Sequence, residues 1–404
     1  MTKRRILLVD GAGQPLRELG AELAARVAGW EVVQATNGAA ALASISASSW
    51  DAIVADMALP DMGGEQLLSH ILRQFPKTHR VALVDLGNLN ALLRCVGGVH
   101  QFVIKPCTAA RLQEVLERAF ELDLWLPNQT LRKLIGHVPQ LPSLADSYNA
   151  VVRALEQPDA TPERVGKLIA RDPAMTAKML RLANSAAYGE PTDDYDVVEA
   201  VREIGLDNTK SCLLLAHSWS GFGGVERAGF HVAAIWPHAN EVAALAEWLA
   251  RREGASAPMA GLSRTAGLLH DIGKLALAAN LPDQFNSVGK LMRLDGSASV
   301  EVEQEVFGAT HSEVGGCMMA SWGLPMPIVE AVALHHHPTC FLSRKFSPLT
   351  AVHVANALSR AVSEEHFYAL VEREYLAVLG LAEKLPAWWH EGQQQLKLMR
   401  NAHA

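Results

Sequence analysis

Five short apolar runs recur through the first 122 residues: "RRILLVD", "WEVVQA", "WDAIVAD", "RVALVD" and "HQFVIKP". Each is strand-length and rich in β-formers. Between them the apolar residues take helical spacing, as at Leu16, Leu19, Leu23 and Val27, or in "GGEQLLSHILRQF". Strands alternating with helices constrain the chain to a parallel sheet with helices on both faces. The texture then changes. "LWLPNQTLRKLIGHVPQLPSL" is punctuated by prolines and predicts a linker over 123–137. Beyond it almost every segment has helical period. In "TPERVGKLIARD", Thr161 is expected as N-cap, Pro162 at the first helical position and Glu163 in the first turn. "DPAMTAKMLRLANSAAYG" is expected to continue as helix to Gly189. Residues 138–404 read as all-α, with a helical extension over 342–404 packed on a domain at 138–341.

Composition narrows the function classes. The chain has 404 residues, more than one domain needs, with 49% hydrophobic and 20% charged residues. The formal net charge is −7 and no basic run stands out, so no nucleic-acid partner is expected. No apolar run approaches the roughly 18 residues that predict a membrane span. The N-terminal "ILLV" is short and ends at Asp10, unlike a signal peptide. A cytoplasmic protein without membrane contact is expected. Cys95, Cys107, Cys212, Cys317 and Cys340 show no paired spacing and read as small buried hydrophobes in a reducing compartment. Trp219, Trp236, Trp248, Trp322, Trp388 and Trp389 read as core, and "SGFGGVERAG" as a connection.

Four residues end strands in the first region: Asp10, Asp56, Asp85 and Lys105. Ligands of open parallel sheets collect at the carboxyl ends of strands. Carboxylates with one ammonium there suit Mg²⁺ and phosphoryl chemistry, although a lone strand-end Asp commonly serves a turn. This region resembles a response-regulator receiver domain, a flavodoxin-like, doubly wound, five-stranded fold, over 1–122. The resemblance implies that Asp56, in "IVADMALPDMGG", is the phospho-acceptor. It implies that Lys105-Pro106 is the family's Lys-Pro pair, often cis, and that Phe102 is the aromatic switch position. It also implies possible Mg²⁺ and a sensor histidine kinase as partner. Two positions depart from the pattern. The expected acidic pair reads Asp10-Gly11, and the fourth strand ends in Asp85 where Thr or Ser is usual. A carboxylate at 85 donates no hydrogen bond and repels a phosphoryl group. Phosphorylation at Asp56 and a docking or homodimerising role both stay open.

The second region carries "TAGLLHDIGKLALAANL", with His270 and Asp271 adjacent in an apolar run. The pair is expected on a helix entered through Ser263, with Leu268, Ile272, Leu275 and Ala279 as its buried stripe. Adjacent helical residues point about 100° apart, yet both can reach one metal. A buried His–Asp hydrogen bond is the plainer reading of the dipeptide alone. Other histidines fall on neighbouring helices: His238 in "IWPHANEVAAL", His311 opening "THSEVGGCMMASWG", and His335, His336 and His337 closing "PIVEAVALHHHP". Thr310 and Glu313 are expected to form a capping box. Imidazole and carboxylate together suit Fe, Mn, Zn or Ni, and a metal-bound water can attack a phosphodiester.

The segments "LPSL", "LIARDPAMTAKMLRLANSAAYG", "AVREIGL", "GLLHDIGK" and "HSEVGGCMMASWGLP" resemble an HDOD domain, a divergent relative of the HD-type metal phosphohydrolases. The resemblance implies an all-α output domain that is generally non-catalytic and binds signalling proteins, with Asn184 and Ser185 structural. His238, His270, Asp271, His311, His335 and His336 match metal-ligand positions of the HD enzymes. The final ligand should be an aspartate; here Asn356 occupies it, in "VHVANAL". An amide offers a neutral oxygen and no general base. A glutamate found in some members is Ala234, and the "GYP" signature is replaced by "HHHPTCFLSRKF". The leading expectation is a cytoplasmic bacterial signal-transduction regulator, a degenerate receiver controlling a non-catalytic HDOD domain. The alternative is a metal-dependent phosphohydrolase acting on a nucleotide or cyclic dinucleotide.

Overall fold

The structure is a computed structural model and describes residues 4–11, 15–75, 77–85, 99, 101–125, 141–184, 196–215, 234–295, 299–340 and 345–401. The N-terminal unit is built from β1 (Arg4–Val9), α1 (Pro15–Arg26), β2 (Trp30–Ala35), α2 (Gly38–Ala47), β3 (Ala52–Asp56), α3 (Gly64–Gln74), β4 (His79–Asp85), β5 (Gln101–Lys105) and α4 (Ala109–Trp125). The sheet has order β2-β1-β3-β4-β5, all parallel. Side-chain alternation splits its core in two. Ile6, Leu8, Val54 and Leu83 face Leu23 of α1 and Leu116 of α4. Leu7, Val9, Ile53 and Ala55 face Ile45 of α2 and Leu68 of α3. The Asp61 carboxylate accepts from Gly38 N and Ala39 N at 2.8 Å, fastening the loop after β3 to the start of α2.

Helix α4 runs on through Trp125, into the segment expected as linker; residues 126–140 lie outside the described residues. The helical region begins with α5 (Ala145–Leu155), α6 (Pro162–Ile169), α7 (Pro173–Asn184), α8 (Val197–Ile204) and α9 (Leu206–Leu215). Thr161 caps α6 by accepting from Arg164 N, with Pro162 in the first turn. Helix α7 is described to Asn184; Ser185–Gly189, where it was expected to continue, lie outside the described residues, as do "SGFGGVERAG" and Trp219. Asp172 anchors this part. Its carboxylate accepts from Ser143 Oγ (3.0 Å), Leu144 N (3.3 Å), Met175 N (2.9 Å) and Trp236 Nε1 (2.8 Å). It therefore caps α7 and ties it to the next layer.

That layer comprises α10 (Ile235–Arg252), α11 (Ala257–Leu269), α12 (Ile272–Asn280), α13 (Pro282–Asp295), α14 (Ser299–Phe307), α15 (His311–Ser321), α16 (Met326–Leu334) and α17 (Pro348–Arg360). Helices α18 (Glu364–Leu370), α19 (Arg373–Val378) and α20 (Leu385–Asn401) follow, and Trp388 of α20 is wholly buried in the same core. Among the cysteines, Cys317 is buried and Cys107 half-buried. Cys340 is exposed, contrary to the buried reading, because it ends a short 3₁₀ turn at the surface. The Cys95 and Cys212 side chains lie outside the described residues. No helix among the described residues is long and apolar enough to cross a membrane.

Candidate functional site

The first cluster lies at the carboxyl edge of the sheet. Asp10 follows β1 and Asp56 ends β3; both side chains are buried. Lys105 Nζ lies 2.7 Å from Asp56 Oδ2, and Ala58 N donates to Asp56 Oδ1 at 3.0 Å. Asp85 is opposite Lys105 in the β4–β5 register. The Asp85 and Phe102 side chains lie outside the described residues. The Lys105–Pro106 bond is cis. Gly11 has a steric explanation: a Cβ there would meet Pro60 Cδ at 2.6 Å. Pro60 fills the space that an acidic side chain at 11 needs.

The second cluster is assembled from six helices. Helix α11 is capped by Ser256, not Ser263, and ends at Leu269. His270 is its C-cap, and Asp271, with ψ 13°, is the N-cap of α12. The His–Asp pair therefore stands on a corner between two helices, not within one. The corner frees both side chains from the angular spacing of a continuous helix and turns them into the same space. Gly273 permits this: a Cβ there would sit 1.9 Å from the His311 carbonyl oxygen, so α12 rides directly on the start of α15. The Thr310–Glu313 capping box fixes that start. His335 and His336 follow the last turn of α16, His238 stands on α10 and Asn356 on α17.

Distances confirm one cluster. Asp271 Oδ1 lies 3.1 Å from His311 Nε2 and 3.9 Å from His335 Nε2. Asp271 Oδ2 lies 3.5 Å from His270 Nε2 and 3.9 Å from His238 Nε2. His336 Nε2 is 3.2 Å from His311 Nε2, and Asn356 Oδ1 is 3.1 Å from His238 Nε2. His337 points away and is exposed.

Backbone carbonyls set the imidazole tautomers. His270 Nδ1 donates to Gly267 O at 2.7 Å and His335 Nδ1 to Val332 O at 2.9 Å. Their Nε2 atoms are buried without a hydrogen bond. Burial pushes the His270 imidazole down to about 3 and holds His335 and His336 far below the usual histidine range. Burial also lowers His311, but Glu303 and Asp271 outweigh it and the net shift is upward. For Asp271 burial raises the carboxyl, yet His270, Lys274 and His311 hold it well below the ordinary range. The neutral His270 and His335 imidazoles, with inward Nε2 lone pairs beside an ionised carboxylate, fit a divalent ion. The residues that can hold one fall into two triads, His311/His335/His336 and His238/His270/Asp271.

Four contributors have no place in the ligand motif. Glu303 of α14 receives His311 Nδ1 at 2.7 Å. Lys274, visible in "HDIGK", lies 2.7 Å from Asp271 Oδ2. His353 Nδ1 donates to the His335 carbonyl at 2.8 Å, while its Nε2 accepts from Glu372 N at 2.9 Å. Arg360 closes the end of α17 and, with His238, Asp271, Lys274 and Glu303, lines a cleft of about 250 Å³. Its apolar wall includes Ile235, Phe285, Val288 and Met292, and Ala234 contributes a methyl group.

A family model for the response regulator receiver domain matches residues 6–117, and one for the HDOD domain matches residues 141–338. An uncharacterized protein of Treponema pallidum is 26% identical over 60% of this chain, and the chain spans 46% of that protein's length. Ribonuclease Y of Thermus thermophilus is 35% identical over 26% of this chain and 13% of that protein. The MmoQ response regulator of Methylococcus capsulatus is 26% identical, with 62% of this chain and 98% of that chain covered and a TM-score of 0.47. The receiver match spans the sheet with its Asp56–Lys105 pair and the HDOD match spans the histidine cluster up to His336, so the chain is a response regulator receiver domain fused to an HDOD domain.

Proposed function

We propose that this signal-transduction regulator works by binding a partner protein rather than by turnover, with the receiver governing the helical output domain. The observation that carries this reading is the seat of one domain on the other. Helix α4 packs on α15, whose first residue is His311. The Arg181 guanidinium donates to the Val99 carbonyl and lies 4.8 Å over the Trp322 ring. Gly323, with φ +76°, lets the Gln101 side chain approach its Cα closely. A receiver with two states biases whatever is packed on β5 and α4. The upstream partner in this reading is a sensor histidine kinase acting on Asp56, in the cytoplasm, with a homodimer as one output state. The non-catalytic side is supported by Asn356, which withholds a carboxylate, and by Lys274, which already neutralises Asp271. Beryllofluoride or acetyl phosphate added to the full chain should change hydrogen exchange of α15, and Asp56→Asn should abolish the change. An α15 that responds equally in both proteins, or in neither, removes phosphorylation from the reading and leaves the receiver a fixed docking module.

A metal-dependent phosphohydrolase is the second reading, favoured by the lone pairs of His270 Nε2 and His335 Nε2 left without partners in a buried site. The partial likeness to a ribonuclease Y is in keeping with it. A bound divalent ion supplies an acidified water and polarises a phosphodiester. Lys274 and Arg360 would orient the anionic substrate in the cleft, with Phe285 and Met292 excluding water. Hydrolysis of bis(p-nitrophenyl) phosphate with Mn²⁺ by the wild type, enhanced in Asn356→Asp, is the expected result. No turnover by either protein with metal bound would reject the enzymatic reading.

A further inference from the structure

We propose that Arg400, Glu241 and Ser359 are positioning residues for His238. They form a one-way hydrogen-bond chain from the surface of α20 that keeps a proton on His238 Nδ1 and leaves its Nε2 a bare acceptor on the side of the cluster. The proposal goes beyond both readings above and holds whether the cluster serves partner binding or turnover.

Two members of the chain, Ser359 and Arg400, lie beyond residue 338, where the HDOD match ends. They stand on α17 and α20. Helix α20 is fastened to both helices that carry the outer residues of the cluster. On α10, Arg252 gives two donors to Glu391, each at 2.7 Å. On α17, the Leu358 carbonyl accepts from Gln393 Nε2 at 3.1 Å. Gly392 permits this approach, because a Cβ there would meet Leu358 Cδ1 at 2.8 Å. Further along α20, Arg400 grips Glu241 of α10 with Nε at 2.7 Å and Nη2 at 2.9 Å. An exposed ion pair adds little stability. What two parallel contacts do add is a fixed orientation of the carboxylate.

That orientation sets the direction of every later link. Arginine has only donors, so Glu241 accepts from it. Glu241 Oε2 also lies 2.8 Å from Ser359 Oγ, and a carboxylate oxygen can only accept, so the single hydroxyl proton goes to Glu241. Ser359 Oγ is then left with lone pairs toward His238 Nδ1, 3.1 Å away. Nδ1 must carry the proton. In a neutral ring Nε2 is therefore bare. It lies 3.9 Å from Asp271 Oδ2 and faces the Asn356 amide, whose Oδ1 position is 3.1 Å away. An amide oxygen there would set lone pair against lone pair. The NH₂ end has the same shape and donates, so the amide is turned end for end. Asn356 closes the chain as a donor to the ring.

The test reads the ring protons directly. The full chain, ¹⁵N-labelled and treated with chelator, is studied by long-range ¹H–¹⁵N spectroscopy at pH 8, above the ordinary histidine value of about 6.5. The His238 signals are those lost in His238→Gln. Wild type should show Nδ1–H alone. Ser359→Ala removes the acceptor and should move the proton to Nε2, with Asn356 Oδ1 as its new partner. Glu241→Ala frees the hydroxyl to donate either way, and Arg400→Ala frees the carboxylate, so both should admit a mixture of the two forms. Arg400→Lys, which keeps a donor to Glu241, should restore the single form. Loosened packing alone does not transfer a proton between ring nitrogens, and circular dichroism checks that each variant folds. Nε2–H in the wild type, or undiluted Nδ1–H in any of the three alanine variants, overturns the proposal. If one alanine variant does not fold, the other two decide.

Discussion

His311 gives both its backbone N–H and its ring Nδ1 to a single oxygen of Glu303, each at 2.7 Å. The carboxylate is almost wholly buried, and no other helix supplies an acceptor to either donor among the described residues. It fixes the imidazole tautomer and pins the first turn of α15 at once. Glu303→Ala strands two buried donors. It is expected to lower unfolding free energy by about 3 kcal/mol, read from the urea midpoint. It should also weaken divalent-ion affinity by roughly 10- to 100-fold. A variant as stable as wild type with unchanged Co²⁺ affinity would show that Glu303 positions nothing.

Asp172 explains why "DPAM" stands where it does. Oδ1 accepts from Ser143 Oγ and Met175 N, and Oδ2 from Leu144 N and Trp236 Nε1. Asp172→Asn preserves size but turns one acceptor into a donor facing two donors. The expected cost is about 2 kcal/mol, with a shift in Trp236 fluorescence. A thermal midpoint unchanged within error would contradict the network.

The elements were legible where one periodicity acts alone. Each receiver strand announces itself as a short apolar run, and the Thr161 and Thr310 caps follow from local chemistry. The corner at His270–Asp271 was not legible, because "LLHDIGK" keeps helical spacing straight through it. The break comes from the close approach of Gly273 to His311, a contact between distant segments. The positions that match the HD ligand motif were readable through resemblance, and the structure gathers their side chains in one place. Glu303 was invisible for a different reason: its role depends on α14 folding back on α15, which no local pattern encodes. Lys274 stood in plain view three residues after Asp271, but its meaning needs the 2.7 Å contact.

Gly11 and Pro60 yield a prediction for the receiver. If Gly11 merely lost its carboxylate, Gly11→Asp should restore Mg²⁺ binding. With Pro60 Cδ 2.6 Å from the new Cβ, the single variant should instead be destabilised by about 1–3 kcal/mol with no gain in Mg²⁺ affinity. Gly11→Asp/Pro60→Ala should bind Mg²⁺ more tightly than wild type by titration calorimetry. Equal gains in the single and double variants would show that Pro60 is not the obstacle.

Lys178 supplies the pH dependence. It stands on α7, donates to the Leu141 carbonyl at 3.2 Å, and faces Asp172 and Arg181. Burial pushes its ammonium down to about 7; Asp172 opposes the shift and Arg181 reinforces it. The unfolded chain, with an ordinary lysine, holds this proton up to pH 10 or so. Between those values the unfolded state binds more protons, so stability rises with pH. Below pH 7 both states are protonated and the burial cost is present in full. From pH 7 to pH 9 this one group should add about 2 kcal/mol to unfolding free energy relative to Lys178→Met. Urea titrations of both proteins across that interval measure the difference directly. Parallel curves would mean that Lys178 keeps an ordinary pKa in the fold, through solvent reaching α7 or an ion pair with Asp172 strong enough to hold its charge.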